Sequence, residues 1–201
     1  MVTWLRPNGG CAPGLVGRLE SVAQQLLLSA DLLTYVRRHR QCSPWAKEAG
    51  GQVFGTISAE QIRVTVATGP YPLDERSRYR YRSDPAAAQH AIRAQSESGL
   101  LYLGEWHTHA EDQPGISGLD GDAMRLLLAK SQLNSNALLM LIVGRKTTVD
   151  SLGLWTVTAE RVDQWRLEYV ATVSDRGNTT PVWLKKYSPP PGSRLRFHER
   201  S

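Results

Sequence analysis

Trp106-His107-Thr108-His109-Ala110-Glu111-Asp112-Gln113-Pro114-Gly115-Ile116-Ser117-Gly118-Leu119-Asp120 is the stretch that organises this chain. Residues 100–106 read as a strand, and His107 and His109 stand two apart at its end. In a strand, residues i and i+2 point to the same face, so two imidazoles can reach one ion. The chain then loops for seven residues before Ser117, which reads as the start of a helix running to about Leu133. Asp120 falls in the first turn of that helix, which can swing back over the strand end. Two histidines and one carboxylate leave a fourth tetrahedral position for water, the plan of a catalytic zinc site rather than a closed structural one. Two simpler readings stand beside this one. An H-x-H pair also describes two surface histidines, and Ser117-x-x-Asp120 is also an N-cap with an acidic third residue.

Outward from this stretch the chain alternates between helical and extended patterns. Residues 24–28 read as a short strand, and Ser29 or Asp31 can cap a helix over residues 32–39. Residues 52–58 and 62–68 are β-rich runs that form a hairpin. Asp84-Pro85 is a cap followed by a first-turn proline, which predicts a helix over residues 86–98. Ala137–Val143 is fully apolar and suits the centre of a sheet, and Leu152–Thr158 reads as a further strand. Trp165, Leu167, Tyr169 and Val170 suggest one more strand within residues 160–173. The six tryptophans and the run Leu126-Leu127-Leu128 read mainly as packing residues. The order predicts an α/β fold, a single domain with a mixed β-sheet flanked by helices. Three parts are expected: a loose Gly- and Pro-rich segment at 1–18, a folded domain at 19–176, and a Pro-rich basic tail at 177–201.

Composition narrows the function classes. The chain has 201 residues, 24 Lys and Arg against 19 Asp and Glu, and a net charge of +5. That is enough for one domain with a real core. So mild a positive charge does not imply nucleic-acid binding, and no nucleic-acid partner is expected. No apolar run approaches the length needed to cross a bilayer, so no membrane association is expected. The two cysteines, Cys11 and Cys42, make neither a disulfide framework nor a C-x-x-C site, and a reducing cytoplasm is the expected location.

Elimination sharpens the site. The five histidines are His39, His90, His107, His109 and His198, and only His107 and His109 have a supporting pattern. A serine nucleophile elbow would need glycine at 119, where Leu119 stands. A hydrolytic site also needs a general base. Glu105 shares strand parity with His107 and His109, and Glu48 precedes Gly50-Gly51 and a strand. Spacing does not choose between them.

H-x-H, seven residues, Ser, two residues, Asp resembles the signature of the JAMM (JAB/MPN) zinc metalloproteases. His107, His109, Ser117 and Asp120 match it without a gap. Glu48-Ala49-Gly50-Gly51-Gln52-Val53-Phe54-Gly55 is similar to that family's glutamate followed by a glycine-containing strand. The resemblance implies the MPN/JAB fold, with its cytidine-deaminase-like layering. It implies that His107, His109 and Asp120 bind Zn2+, the one cofactor expected. It implies that Glu48 acts as general base and then proton donor, and that Ser117 steadies the oxyanion. The family position matching Glu105 is usually aromatic or variable, which demotes Glu105. Ala110 departs from the proline of many members and touches only the loop's stiffness.

Members of this family release ubiquitin-like proteins or trim the tail of a small carrier protein. The length and motif style resemble the bacterial JAB-domain proteins. Some of these sit beside ubiquitin-activating and conjugating-like (E1/E2-like) enzymes in anti-phage operons of the cyclic-oligonucleotide (CBASS) kind. The expected substrate is therefore a ubiquitin-like protein, or a protein conjugated through its C-terminus. A processing peptidase, a non-catalytic MPN-type binding module and a small-molecule amidase are the other readings. Arg76, Arg78, Arg80 and Arg82 alternate with Ser77, Tyr79 and Tyr81. Extended, they would line one face, either as a clamp for an acidic partner or as a solvated edge ribbon.

Overall fold

A computed structural model describes residues 14–131 and 135–170. Its strands are β1 (Leu15–Arg18), β2 (Gln25–Leu28), β3 (Gly50–Ile57), β4 (Gln61–Ala67), β5 (Glu75–Arg76), β6 (Tyr81–Arg82), β7 (Leu101–Thr108), β8 (Ala137–Val143), β9 (Leu152–Thr158), β10 (Val162–Gln164) and β11 (Arg166–Tyr169). Three helices join them: α1 (Ala30–Arg37), α2 (Pro85–Glu97) and α3 (Gly118–Lys130). Nine strands form one mixed sheet in the order β10-β9-β8-β7-β3-β4-β2-β1-β11, and β5 with β6 forms a separate small hairpin. None of the described helices is long and apolar enough to cross a membrane.

The apolar pattern of β8 has a direct cause. Leu139, Leu141 and Val143 pack on one side of the sheet with Leu32, Leu33 and Val36 of α1. Leu138, Met140 and Ile142 pack on the other side with Met124 of α3. A strand covered on both faces has no position left for a polar side chain. β8 runs parallel to β7 and antiparallel to β9, which keeps it inside the sheet.

β7 carries a correction to its own alternation. Val53 of β3 pairs with Gly104 and Phe54 pairs with Tyr102, so Leu103 is one extra residue in the ladder. Such a bulge flips parity. Leu103 and Trp106 consequently share the α1 side of the sheet, whereas Tyr102 packs among the α3-side residues. Gly104 sits at φ 151°, and a Cβ there would meet the Leu139 carbonyl oxygen at 1.9 Å. Only glycine fits the bulge.

The helix starts follow the sequence. Ser29, not Asp31, caps α1, its Oγ accepting from Leu32 N at 3.2 Å. Asp84 caps α2, with Pro85 in the first turn. The hairpin β3–β4 forms as expected, antiparallel with Ile57 opposite Ile62. α3 ends at Lys130; Leu133 of the expected helix lies outside the described residues.

Four expectations need revision. Residues 15–18 are not loose: they form β1, pairing with both β2 and β11, and Leu15 is fully buried. Residues 1–13 of that segment and the tail at 177–201 lie outside the described residues. Residues 162–169 make two strands instead of one, divided at buried Trp165, whose indole donates to Thr156 Oγ1 at 2.7 Å. The packing expectation fails for two side chains, because Trp45 is 90% exposed and Leu126 54% exposed. Arg76–Arg82 is not one extended ribbon either. It turns back on itself as β5–β6, and Arg76 and Arg78 bond inward to carbonyls of residues 43–48.

Candidate metal centre

β7 delivers the two histidines. His107 lies opposite Gly50 of β3 and Ile142 of β8, so its backbone is held from both sides. The ladder runs one residue past the strand, with His109 N donating to Val143 O at 3.0 Å. The rings then converge, their centroids 4.7 Å apart and their Nε2 atoms 2.9 Å apart. Trp106 points to the other face, buried against Tyr35 and His39, and donates its indole N–H to Thr68 O at 2.9 Å.

The loop that follows is held at several points. Arg145 N donates to Glu111 O at 2.7 Å, and the Asp112 carboxylate takes Arg145 at 2.8 Å and Lys146 at 2.9 Å. It ends at Ser117, the N-cap of α3, in a complete capping box. Asp120 N donates to Ser117 Oγ at 3.2 Å, and Ser117 N donates to Asp120 Oδ2 at 2.8 Å. The cap expected from Ser117-x-x-Asp120 is present, and the same carboxylate faces the two histidines. The box turns the carboxylate toward the histidines: Asp120 Oδ1, outside the box, is 3.5 Å from His107 Nε2. Oδ2 is 3.7 Å from His109 Nε2.

One ligand atom from each of His107, His109 and Asp120 lies within 4.8 Å of the others. A tetrahedral zinc ion with ligand bonds of about 2.0–2.1 Å requires donors about 3.3 Å apart. The two imidazole Nε2 atoms are 2.9 Å apart, and each has one Asp120 carboxylate oxygen near that distance, Oδ1 at 3.5 Å from His107 and Oδ2 at 3.7 Å from His109. The donor set fits a divalent ion that prefers imidazole and carboxylate. Burial holds His107 below the usual histidine range against the opposing pull of the Asp120 charge, a direction that favours the neutral ring a metal requires. His39 sits with Trp106 on the far side of the sheet, and His90 lies on α2; neither joins the group. His198 lies outside the described residues.

Glu48 and Glu105, equal by spacing, differ in their surroundings. Both carboxyl oxygens of Glu105 are engaged, one by Tyr102 OH and the other by Gln52 Nε2 at 3.1 Å. Glu48 is buried with no such side-chain partner among the described hydrogen bonds. Its segment docks beside the ligands: Thr108 N donates to Ala49 O at 2.8 Å, and Ala49 N donates to Thr108 Oγ1 at 3.0 Å. Burial raises the Glu48 carboxyl to about 7, and the negative charges of Asp120 and Glu111 add to this. A carboxylate with that proton affinity suits proton transfer at neutral pH.

Sequence reading missed two residues. Gln41 is 1% exposed and Thr108 is fully buried. Both bond to the segment that bears Glu48. An isolated glutamine carries no periodicity or spacing that marks it, and Thr108 hides as the middle residue of H-x-H.

The family model described as prokaryotic homologs of the JAB domain matches residues 29–167. A protein of Pseudomonas aeruginosa (strain BWHPSA011 / Pa011) named CD-NTase/cGAS isopeptidase is 36% identical over 123 residues, covering 60% of this chain and 77% of that protein. A protein of Vibrio cholerae serotype O1 (strain ATCC 39315 / El Tor Inaba N16961) with the same name is 30% identical over 126 residues, covering 60% and 77%. A third of that name, from Escherichia coli (strain TW11681), is 26% identical over 131 residues, covering 64% and 81%. The span of the match takes in Glu48, both histidines, Ser117 and Asp120, and the chain belongs to the prokaryotic homologs of the JAB domain.

Proposed function

We propose that this protein is a zinc-dependent isopeptidase of a bacterial CBASS-type anti-phage system. It hydrolyses the amide that joins the C-terminus of a protein to a target lysine. By analogy with the relatives' name, the conjugated protein is a CD-NTase, attached as a ubiquitin-like protein would be. The proposed setting is the cytoplasm, alongside the activating and conjugating-like enzymes that make the bond. The observation that carries the reading is the convergence of His107, His109 and Asp120 beside a glutamate with raised proton affinity.

His107, His109 and Asp120 would hold the ion. When bound there, zinc supplies Lewis acidity, which makes water nucleophilic near neutral pH and polarises a carbonyl. Glu48 takes the proton from the attacking water as its oxygen adds to the scissile carbonyl carbon. It returns that proton to the lysine amine as the C–N bond breaks, so no covalent enzyme intermediate is needed. Ser117 turns its hydroxyl from Asp120 toward the oxygen of the tetrahedral species and steadies its charge.

A protein substrate is favoured over a small amide by exposed apolar side chains. Trp45 (90% exposed) lies just before Glu48 in the chain and Leu119 (84%) just before Asp120, while Tyr79 (80%) sits in the turn of the β5–β6 hairpin. Large exposed apolar side chains close in sequence to the candidate base and to Asp120 suit contact with a polypeptide. The test compares lysine-branched peptides, by mass spectrometry, in cells carrying this protein and cells carrying Glu48→Ala. Accumulation of one C-terminus on lysines in the variant is the expected result. An unchanged branched-peptide set would overturn deconjugation and favour precursor trimming.

A further inference from the structure

Glu48 is held by its main chain rather than its side chain. Its N–H donates to Ser77 O at 2.7 Å, and Arg76 Nε donates to its carbonyl oxygen. The glutamate therefore rides on the β5–β6 hairpin. The hairpin is tied in turn to the loop before Glu48, where Arg78 Nη1 donates to Ser43 O at 3.0 Å and Pro44 O at 2.6 Å. On the other side, the segment is tied to the histidine strand one residue later, where Ala49 exchanges two hydrogen bonds with Thr108.

Gln41 braces the same segments from a second side. Its Nε2 donates to Ala46 O at 3.1 Å and to Arg78 O at 2.8 Å, joining the loop to the hairpin. Its Oε1 accepts from Thr108 Oγ1 at 3.5 Å, and Thr108 stands between His107 and His109. The same Thr108 hydroxyl oxygen accepts from Ala49 N at 3.0 Å. One buried amide thus bridges the base-bearing loop, the hairpin and the ligand-bearing strand, while touching none of His107, His109, Asp120 or the Glu48 carboxylate. A buried amide whose Nε2 donates to two carbonyls is costly to disturb, because each lost donor leaves a carbonyl unpaired.

We infer that Gln41 is a positioning residue for catalysis: it sets the distance of Glu48 from the metal centre by cross-linking residues 46, 78 and 108. This rests on Glu48 being the general base. It assigns Gln41 no part in metal binding or substrate binding.

The experiment uses the full-length protein in three variants: Gln41→Met, Gln41→Glu and Glu48→Gln. Met keeps the length and volume of Gln without its hydrogen bonds, and Glu keeps its shape without its donors. Two readouts are taken. Hydrogen exchange on the metal-stripped protein follows the amides of Glu48 and Ala49 against those of β8. Steady-state kinetics of the zinc-loaded protein use a reporter peptide carrying a CD-NTase C-terminus linked to the ε-amine of lysine. Both Gln41 variants should exchange faster at residues 44–49 and 76–80 with β8 still protected. They should bind zinc in the wild-type ratio and lose about 10- to 100-fold in kcat with KM little changed, as a small misplacement of a catalytic group does. Wild-type kcat and exchange in both variants, with Glu48→Gln inactive, would overturn the role of Gln41 and leave the base intact. Faster exchange throughout β8 in both variants would also overturn it, making Gln41 an ordinary fold residue. Full turnover by Glu48→Gln would instead remove the base, and this inference with it.

Discussion

Ser117 donates its hydroxyl to Oδ2 of Asp120 at 2.6 Å, so the residue that caps α3 also holds the carboxylate of the proposed metal site. Ser117→Ala removes both services. Loss of an N-cap costs about 1 kcal/mol, which lowers the Tm of a chain this long by about 2–4 °C. Loss of an outer partner to a ligand should weaken zinc binding by about 10- to 100-fold. Thermal unfolding with and without zinc, and competition against a chelator, measure the two effects separately.

Asp120→Ala removes one of three protein ligands together with the acidic half of the capping box. The protein should emerge from gel filtration in chelator-treated buffer without stoichiometric zinc, and with a lower Tm than Ser117→Ala. Retention of one zinc per chain would show that the ion is held elsewhere.

The metal-free protein should be destabilised by Glu48 as pH rises. The folded carboxyl keeps its proton up to about 7, against an ordinary value of 4.5. Between these values the folded state binds more protons than the unfolded one, so stability falls with increasing pH. The contribution is whole below the lower value and lost on passing the upper one. Glu48→Gln is neutral throughout, so its Tm advantage over wild type should be larger at about pH 8 than at about pH 4.5. Glu105 is raised in the same way but is common to both proteins and cancels in the difference. Equal advantages at the two pH values would refute the raised proton affinity.

Gly51→Ala should unfold the Glu48 region or the whole domain. A Cβ at 51 would lie 1.9 Å from the Thr68 carbonyl oxygen, a backbone atom that cannot turn aside. Overpacking of this kind costs about 3 kcal/mol or more. Circular dichroism melts check it, and a Tm within a degree of wild type would contradict the close approach of residues 51 and 68.

The readable parts of this fold are those whose cause is local. Ser29, Asp84 and Ser117 are caps because each accepts from a backbone N–H within its own first turn. Ala137–Val143 announces a central strand because both of its faces are buried. His107, His109 and Asp120 were visible through strand parity and helix entry. What stayed hidden depends on distant partners. β1 is a strand only because Leu15 lies between Leu28 and Tyr169. The bulge at Leu103 that puts Leu103 and Trp106 on the same face of the sheet is marked by one glycine, and its φ cannot be read from spacing. The turn in residues 75–82 follows from carbonyls at 43–48 that no local pattern in the arginines reveals. Choosing Glu48 over Glu105 needed either the family resemblance or the Tyr102 and Gln52 contacts that occupy Glu105.

The most direct test of the account is an intact-mass time course of a CD-NTase–lysine isopeptide conjugate. It would be incubated with the zinc-loaded protein, the metal-stripped protein and zinc-loaded Glu48→Gln. The account predicts that only the first converts the conjugate into two products whose masses sum to the substrate plus one water. Metal stripping should stop the reaction and added zinc should restore it, and Glu48→Gln should hold zinc but release nothing. Cleavage that survives metal removal, or that proceeds at the wild-type rate in Glu48→Gln, would contradict it.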